Sequence, residues 1–317
     1  MALEQITRAD AQALIPAEQY GEIFDGIVRE SAMLKLMRRL PNMARGTMNL
    51  PVLSALPSVK ILGGDAAQKP TTKTGWENKV ITAGEIATIV PVPDAVLQDS
   101  AYDLFAYLKP LVAQAFGAKI DAAVLFGTEK IAAWPDGIVP GAVGNGKVVV
   151  SGTNADLVED INQVMSLVEV SGYDVNGFAS AIQAKASLRG LRDANGGLLF
   201  QPSLTAGTPG TLFAQPIEYL RNSAWDLEQA LMLCGDFQQA VYSIRQELTI
   251  DKTNSGVITD GNGAVALSAY EQDCTLFRFV MRFGWQLPNP INISDTSATR
   301  YPFAALQQAV PSGGGGE

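Results

Sequence analysis

The sequence predicts an α+β protein whose subunit is elongated rather than round. A strand-like run, Ile86–Val92, ends in a Pro-Val-Pro turn and leads to a helix that opens after Asp99-Ser100. That helix would have about 26 residues, or roughly 39 Å at 1.5 Å per residue. A strand and a helix of such lengths do not suit a small round domain. We therefore expect the subunit to bury its sides against neighbours.

The composition points to a large amount of buried surface. The chain has 317 residues, of which 47% are hydrophobic and 17% charged, whereas typical globular domains have about 25% charged residues. The low charge does not come from a membrane span, because no uncharged run of about 18 apolar residues occurs. We expect no membrane partner, no signal peptide, and extra buried area between subunits.

The charged and reactive residues exclude several classes of function. The net charge is −9 and the longest basic run is Arg38-Arg39, so tight direct binding of nucleic acid is not predicted. Enclosing nucleic acid without binding it tightly remains open. Histidine is absent, which removes Ser-His-Asp and Cys-His catalysis and the commonest metal ligand. We predict no catalytic, cofactor-binding or metal residue, and we expect Cys234 and Cys274 to be buried free thiols in a protein made in the cytoplasm.

The N-terminal region is predicted to hold an arm, residues 1–15, and a helix from Pro16 to about Arg38. The helix has one apolar face with i, i+3, i+4 spacing, formed by Tyr20, Ile23, Phe24, Ile27 and Val28. Its polar face is acidic, whereas helices that lie on membranes are usually basic. We expect this helix to pack beneath a neighbouring subunit.

A large β-hairpin follows. Asn49–Leu53 and Trp76–Val92 have extended patterns, and a Gly- and Pro-containing loop separates them. An isolated pair of strands is only marginally stable in water. We expect this hairpin to lie across another molecule.

The long helix after Ser100 contains one difficulty, Pro110. A proline inside a helix removes a hydrogen bond and bends the axis. We expect either a kink at Pro110 or two helices in line.

The second half of the chain is predicted to begin with a compact α/β lobe, residues 150–235. Thr153-Asn154-Ala155-Asp156 is predicted to cap its first helix, with the acidic residue three positions after the Thr. Its second helix covers about Ser180–Leu191. Two short strands in 235–251, a loop or hairpin tip in 252–265, and a strand with two distinct faces, Cys274–Gln286, come next. The buried stripe of the first helix is Leu157, Ile161, Val164 and Val168.

Five segments, taken in order, resemble the major capsid proteins of tailed bacteriophages. They are IVPVPDAVLQDSAYDL, IDAAVLFGTEKIAAWPDGIV, LRGLRDANGGLLF, TLFAQPIEY and CGDFQQAVYSIRQELTI. They lie within a region of similarity that covers nearly the whole chain, although Ala214 stands where the family pattern has Gly. The long N-terminal scaffolding extension of one branch is missing, so the resemblance implies a separate scaffold or a processed form.

The resemblance implies the phage major capsid protein fold and its division of the chain. The expected parts are an N-terminal arm and helix (1–45), an extended β-hairpin loop (46–92), a peripheral domain with a spine helix (93–150), a compact axial domain (151–235), further axial and β-rich peripheral strands (236–305), and a flexible tail (306–317). It also implies pentamers and hexamers that form an icosahedral head around double-stranded DNA in the virion. Portal, scaffold and possible cement proteins are the other implied partners.

Several residues are candidates for contacts between subunits. They are Lys69, Lys73, Trp76, Tyr20, Phe24 and Trp285. Some relatives join a loop lysine to an asparagine of a neighbour, and here Lys69 or Lys73 with Asn289 or Asn292 would be the candidates. We favour the simpler interpretation, because exposed loop lysines and turn asparagines are common and no glutamate follows Asn292 before the tail.

Two alternatives stay open at this stage. An encapsulin-like shell would hold a cargo enzyme instead of a genome. A cytoplasmic α/β enzyme would need a catalytic cluster, and the sequence offers neither histidine nor a phosphate-binding loop.

Overall fold

The computed structural model describes residues 26–28, 30–62, 68–69, 71–95, 104–154, 156–190, 211–260 and 263–309. The predicted arm, the helix residues Tyr20 and Phe24, the predicted cap Asp99-Ser100 and the end of the predicted second lobe helix lie outside these residues. The tail predicted over 306–317 begins too early, because residues 303–307 form a strand, and its residues beyond 309 also lie outside the described part. The helices are α1 (Ala32–Leu36), α2 (Leu104–Phe126), α3 (Ile138–Gly144), α4 (Leu157–Val170) and α5 (Ala184–Gly190).

The strands form two larger sheets and two hairpins. They are β1 (Arg38–Arg39), β2 (Thr47–Ala55), β3 (Gly75–Thr82), β4 (Gly84–Pro93), β5 (Val148–Val150), β6 (Gly177–Ala181), β7 (Thr211–Leu212), β8 (Gln215–Leu220), β9 (Met232–Gly235), β10 (Val241–Thr253), β11 (Val257–Thr259), β12 (Val265–Ser268), β13 (Cys274–Gln286) and β14 (Phe303–Gln307).

A four-stranded sheet, in the order β1-β10-β13-β4, packs in one core with the long helix α2. The two faces predicted for Cys274–Gln286 are confirmed in β13. Phe279 and Phe283 are buried, whereas Arg278 and Arg282 are exposed. The alternation follows from the strand period of two, which sends neighbouring side chains to opposite faces.

A six-stranded sheet, in the order β5-β14-β9-β6-β8-β7, forms the second core with α4. Ile161, Val164 and Val168 of the predicted stripe are buried against it, and Leu157 is half-buried. We call this unit, built from the described parts of residues 148–235 and from 303–307, the axial lobe.

The β2–β3 hairpin is shorter than the predicted one. The extended run Trp76–Val92 is two strands, because β3 pairs with β2 whereas β4 pairs with β13. The chain changes sheets at Ala83. Trp134 fixes this point: its Nε1 donates to the Thr82 carbonyl at 2.8 Å, and a Cβ on Gly84 would lie only 2.6 Å from its ring.

The predicted N-terminal helix is interrupted. Residues 26–28 and 30 are helical, Ser31 caps a separate short helix α1, and Arg38–Arg39 forms β1 beside β10. The break at Ser31 coincides with a buried hydrogen-bonding centre described below.

Three further details of the sequence prediction were wrong. The N-cap of α4 is Asp156, whose side chain accepts from the Glu159 N–H, while the Thr153 hydroxyl donates to the Val150 carbonyl. Ser180 belongs to β6, so the next helix starts at Ala184. The two short strands predicted within 235–251 are instead the single 13-residue strand β10, since β9 already ends at Gly235.

Helix α2 runs unbroken through Pro110, so the alternative of two helices in line is wrong. The bend predicted at Pro110 stays a prediction. In the part of the chain that the structure describes, no helix is long and apolar enough to cross a membrane.

Candidate assembly surfaces

The β2–β3 hairpin exposes apolar side chains that a protomer would ordinarily bury. Val59 and Ile61, in the loop, are 93% and 96% exposed, and Trp76 on β3 is 68% exposed. Lys69 and Lys73 are also exposed. We call these five residues the hairpin surface. Large exposed apolar groups with nearby polar ones are typical of interaction sites.

The hairpin has little core of its own. Its root is held by a small cluster of Met43, Ile81 and Val241. Farther along, its strand β2 accepts one backbone hydrogen bond, from the Ile291 N–H to the Leu53 carbonyl at 3.0 Å. The hairpin therefore joins the protomer at its root and through one neighbouring loop.

That neighbour, residues 289–300, is here called the bridging loop. The Arg300 guanidinium holds it closed by donating to the carbonyls of Asn289, Pro290 and Ser297 at 2.9, 3.1 and 2.8 Å. The planar guanidinium carries five N–H donors, which suits a turn with several carbonyls facing inward. The loop is thus a fixed structure between the hairpin and the axial lobe.

The two asparagines considered for cross-linking connect the bridging loop to the axial lobe. The Asn289 Oδ1 accepts from the Tyr173 hydroxyl at 2.7 Å, and the Asn292 Nδ2 donates to the Ser171 carbonyl at 2.8 Å. Burial raises the pKa of Tyr173, which keeps its hydroxyl a donor. Both side-chain amides therefore have structural partners within the protomer.

A buried carboxyl group joins the N-terminal segment to the long helix. Asp121 of α2 is fully buried, and its Oδ1 accepts from the Ser31 hydroxyl at 2.6 Å and the Met33 N–H at 3.0 Å. Its Oδ2 accepts from the Ala32 N–H at 3.0 Å and the Asn222 Nδ2 at 2.9 Å. One side chain thus satisfies the first N–H groups of α1, which have no partner within the helix.

The burial of Asp121 has an electrostatic consequence. Desolvation raises the pKa of its carboxyl group, and the hydrogen bonds from Ser31, Asn222, Met33 and Ala32 oppose that rise. The sequence analysis missed this residue. Its only signal was an acidic residue inside a strongly apolar helix, four positions before the buried Leu125.

The remaining predicted contact residue, Trp285, is in the core. It is 1% exposed, lies in β13 opposite Tyr242 and leaves almost no surface for a neighbour. Both cysteines are free and buried, as predicted. Among the described residues, no group of three histidine, cysteine or acidic side chains could hold a metal.

Comparison with known proteins identifies a family and solved structures that this chain resembles. The Phage capsid family profile matches residues 11–293. A solved structure from Microbacterium phage Oxtober96 is 32% identical, covers 96% of this chain and 100% of that one, and has a TM-score of 0.77. One from Mycobacterium phage Adephagia is 26% identical, covers 96% of this chain and 99% of that one, and also has a TM-score of 0.77.

A curated relative agrees with these structures. The major capsid protein of Staphylococcus phage 80alpha is 24% identical over 220 residues, which are 69% of this chain and 65% of that protein. The alignment therefore spans less than two thirds of that relative.

The chain belongs to the phage capsid family. Its fold is the α+β fold of phage major capsid proteins, which confirms the predicted fold class. It is a structural protein of the virion and not an enzyme, and neither alternative from the sequence analysis is favoured.

Proposed function

We propose that this chain is the major capsid protein of a tailed phage, and that its copies assemble as pentamers and hexamers into an icosahedral head around double-stranded DNA. The observation that carries the proposal is the hairpin surface. A chain of the phage capsid family presents a hairpin with exposed apolar residues and, beyond the small cluster at its root, little core of its own. Such a hairpin gains its stability from a neighbour.

The hairpin is the element that reaches the adjacent subunit. Trp76 and Ile61 are the anchors of this contact, since a few large apolar or aromatic residues carry most of the energy of an interface. Lys69 and Lys73 are exposed in the same hairpin, and they would form the polar rim of this contact. Repetition of this contact around every subunit supplies the stability of the shell, because linked contacts reinforce each other.

The other parts have complementary roles in the shell. The axial lobe meets its copies around the axis of each pentamer or hexamer. Helix α2 and the four-stranded sheet form the outer belt. Asp121 and its four hydrogen-bond donors, here called the joint, fix the N-terminal segment to that belt. The rigidity of the joint follows from its four hydrogen bonds in a buried setting.

The net charge suits a container for DNA. A chain with a formal charge of −9 would give a wall that repels the phosphate backbone. The genome could then move along the wall during packaging and ejection. Synthesis in the bacterial cytoplasm, a portal, a scaffold and possible cement proteins complete the proposal.

Negative-stain microscopy of the purified chain tests the proposal. Hollow polyhedral shells or rings of subunits are the expected result. Compact monomers alone, even at high concentration, would contradict it. Small uniform particles that contain a cargo protein and no genome would instead favour an encapsulin-like container.

A further inference from the structure

The tip of the β7–β8 hairpin has an unusual backbone. Leu212 pairs with Gln215 and Thr211 pairs with Pro216, which leaves a two-residue loop. Both loop residues have positive φ, +48° at Phe213 and +64° at Ala214. Two-residue loops with positive φ at both positions match the twist of the strands and are usually Asn-Gly or Gly-Gly.

Phe213 and Ala214 are poorly suited to this turn. Each carries a Cβ that crowds the backbone in the left-handed region, and neither has a short polar side chain to compensate. An Asn-Gly pair would form this turn with less backbone strain. The strained backbone therefore indicates a role for this turn beyond local folding.

The turn holds an aromatic ring in a fixed, exposed position. Leu212 and Ile217, on either side of the turn, are buried in the second core, while Phe213 is 44% exposed. Strand β7 is the last strand of the six-stranded sheet as far as the described residues show. The Phe213 ring is thus exposed at the edge of the axial lobe, and the buried residues Leu212 and Ile217 anchor the turn that carries it.

The charge around the tip favours one kind of partner. The segment 211–216, TLFAQP, contains no charged residue in a chain of net charge −9. Contact between two copies of an acidic protein brings like charges together, and an uncharged apolar tip avoids that repulsion. The centres of interfaces are likewise depleted in charge and enriched in aromatic residues.

We propose that Phe213 is an anchor of the contact between axial lobes, and that its partner is a second copy of this chain in the same pentamer or hexamer. This inference rests on the proposed function. The turn places the ring of Phe213 where it can contact the neighbour.

Two variants separate the ring from the turn. Ala214→Gly relieves strain at one position and keeps the ring. Phe213→Asn combined with Ala214→Gly relieves strain at both positions and removes the ring. Both variants should melt at higher temperature than the original chain before assembly, because glycine and asparagine tolerate positive φ.

Assembly should distinguish the variants. Ala214→Gly should form rings or shells as the original chain does. The double variant should need about tenfold more protein to assemble, the effect expected from losing one buried aromatic contact. Light scattering against protein concentration, checked by microscopy, measures this difference.

Three outcomes would overturn the inference. The double variant could assemble like Ala214→Gly, it could be less stable than Ala214→Gly before assembly, or Ala214→Gly alone could lose assembly. In each case shells of the original chain would still support the proposed function. Absence of shells or rings from the original chain would contradict the proposed function itself.

Discussion

The extended hairpin and the axial lobe handle their apolar residues in opposite ways. Strand β6 of the lobe buries all five of its residues, from Gly177 to Ala181. Strand β3 of the hairpin buries only Ile81 and exposes Trp76. The lobe is therefore stabilised by contacts within the protomer, whereas the hairpin depends on contacts from outside it.

This difference explains how one chain can both fold and assemble. A domain that buried every apolar side chain would have nothing left to hold a neighbour. A chain with the opposite balance would aggregate before folding, because large exposed apolar patches promote nonspecific association. Substitutions in the two regions should accordingly change different quantities.

The largest effect is expected in the lobe. Phe178→Ala removes a fully buried ring from β6 and should lower the free energy of unfolding by about 3–5 kcal/mol. Chemical denaturation measures the loss. Tyr270→Ala removes a ring that is 83% exposed and is the matched control, expected within about 0.5 kcal/mol of the original chain. Equal losses from the two substitutions would contradict the assignment of Phe178 to the core.

The next effect is expected at the joint between α1 and α2. Asp121→Ala leaves buried donors of Ser31, Ala32 and Met33 without an acceptor and should cost about 3 kcal/mol of unfolding free energy. Denaturation of the protomer is again the measurement. Asp136→Ala, which breaks an exposed ion pair with Lys130, should cost less than about 1 kcal/mol. A loss no larger than this control would show that the joint is not important for stability.

The joint also predicts a pH dependence of a definite sign. Burial raises the pKa of Asp121 above its ordinary 3.8, so the folded chain binds a proton that the unfolded chain releases. The stabilisation that Asp121 provides is fully present below pH 3.8, and it is lost as the pH rises through the raised pKa. The cost of Asp121→Ala should therefore be greatest near pH 4 and smaller at higher pH. A cost that grows with pH would mean that the hydrogen bonds outweigh desolvation.

The smallest effect on protomer stability is expected in the hairpin. Trp76→Ala should change the unfolding free energy by less than about 0.5 kcal/mol, since the ring is already 68% exposed. It should nevertheless lower shell yield about tenfold, as truncation of an interface anchor does. Sedimentation of assembled particles measures the yield, with Glu77→Gln on the opposite face of β3 as the control. Unchanged assembly by Trp76→Ala would remove this residue from the interface.

The elements best predicted from sequence were those with a strong local pattern. The predicted bounds Cys274–Gln286 are those of β13, because buried and more exposed residues alternate from Phe277 to Phe283. The long helix was also predicted, since its apolar spacing extends over many turns. Local patterning sufficed there because one face of each element lies against the core.

The errors have a physical cause in partners distant along the chain. Nothing in the alternation of residues 76–92 reveals that the strand changes sheets at Ala83. That change depends on Trp134, about 50 residues later. Strand β10 looked like two pieces because Arg245, Gln246 and Glu247 interrupt its pattern, and register shifts near Gln246 accommodate them.

Only some of the candidate contact residues are exposed, because exposure also depends on partners distant along the chain. Trp76 was identified and is exposed, whereas Trp285 was identified by residue type and is buried. Tryptophan is common both in cores and at interfaces, so its identity alone does not distinguish the two. Asp121 was missed because its four partners come from residues 31–33 and 222.

Hydrogen–deuterium exchange of the free protomer and the assembled shell tests the central claim most directly. Amides of β2 and β3 should gain strong protection on assembly, because neighbours would supply the stability that the hairpin lacks. Amides of β6 and β9 should change little, since their protection already comes from the protomer. A hairpin that exchanges equally fast in the protomer and the shell would contradict the account.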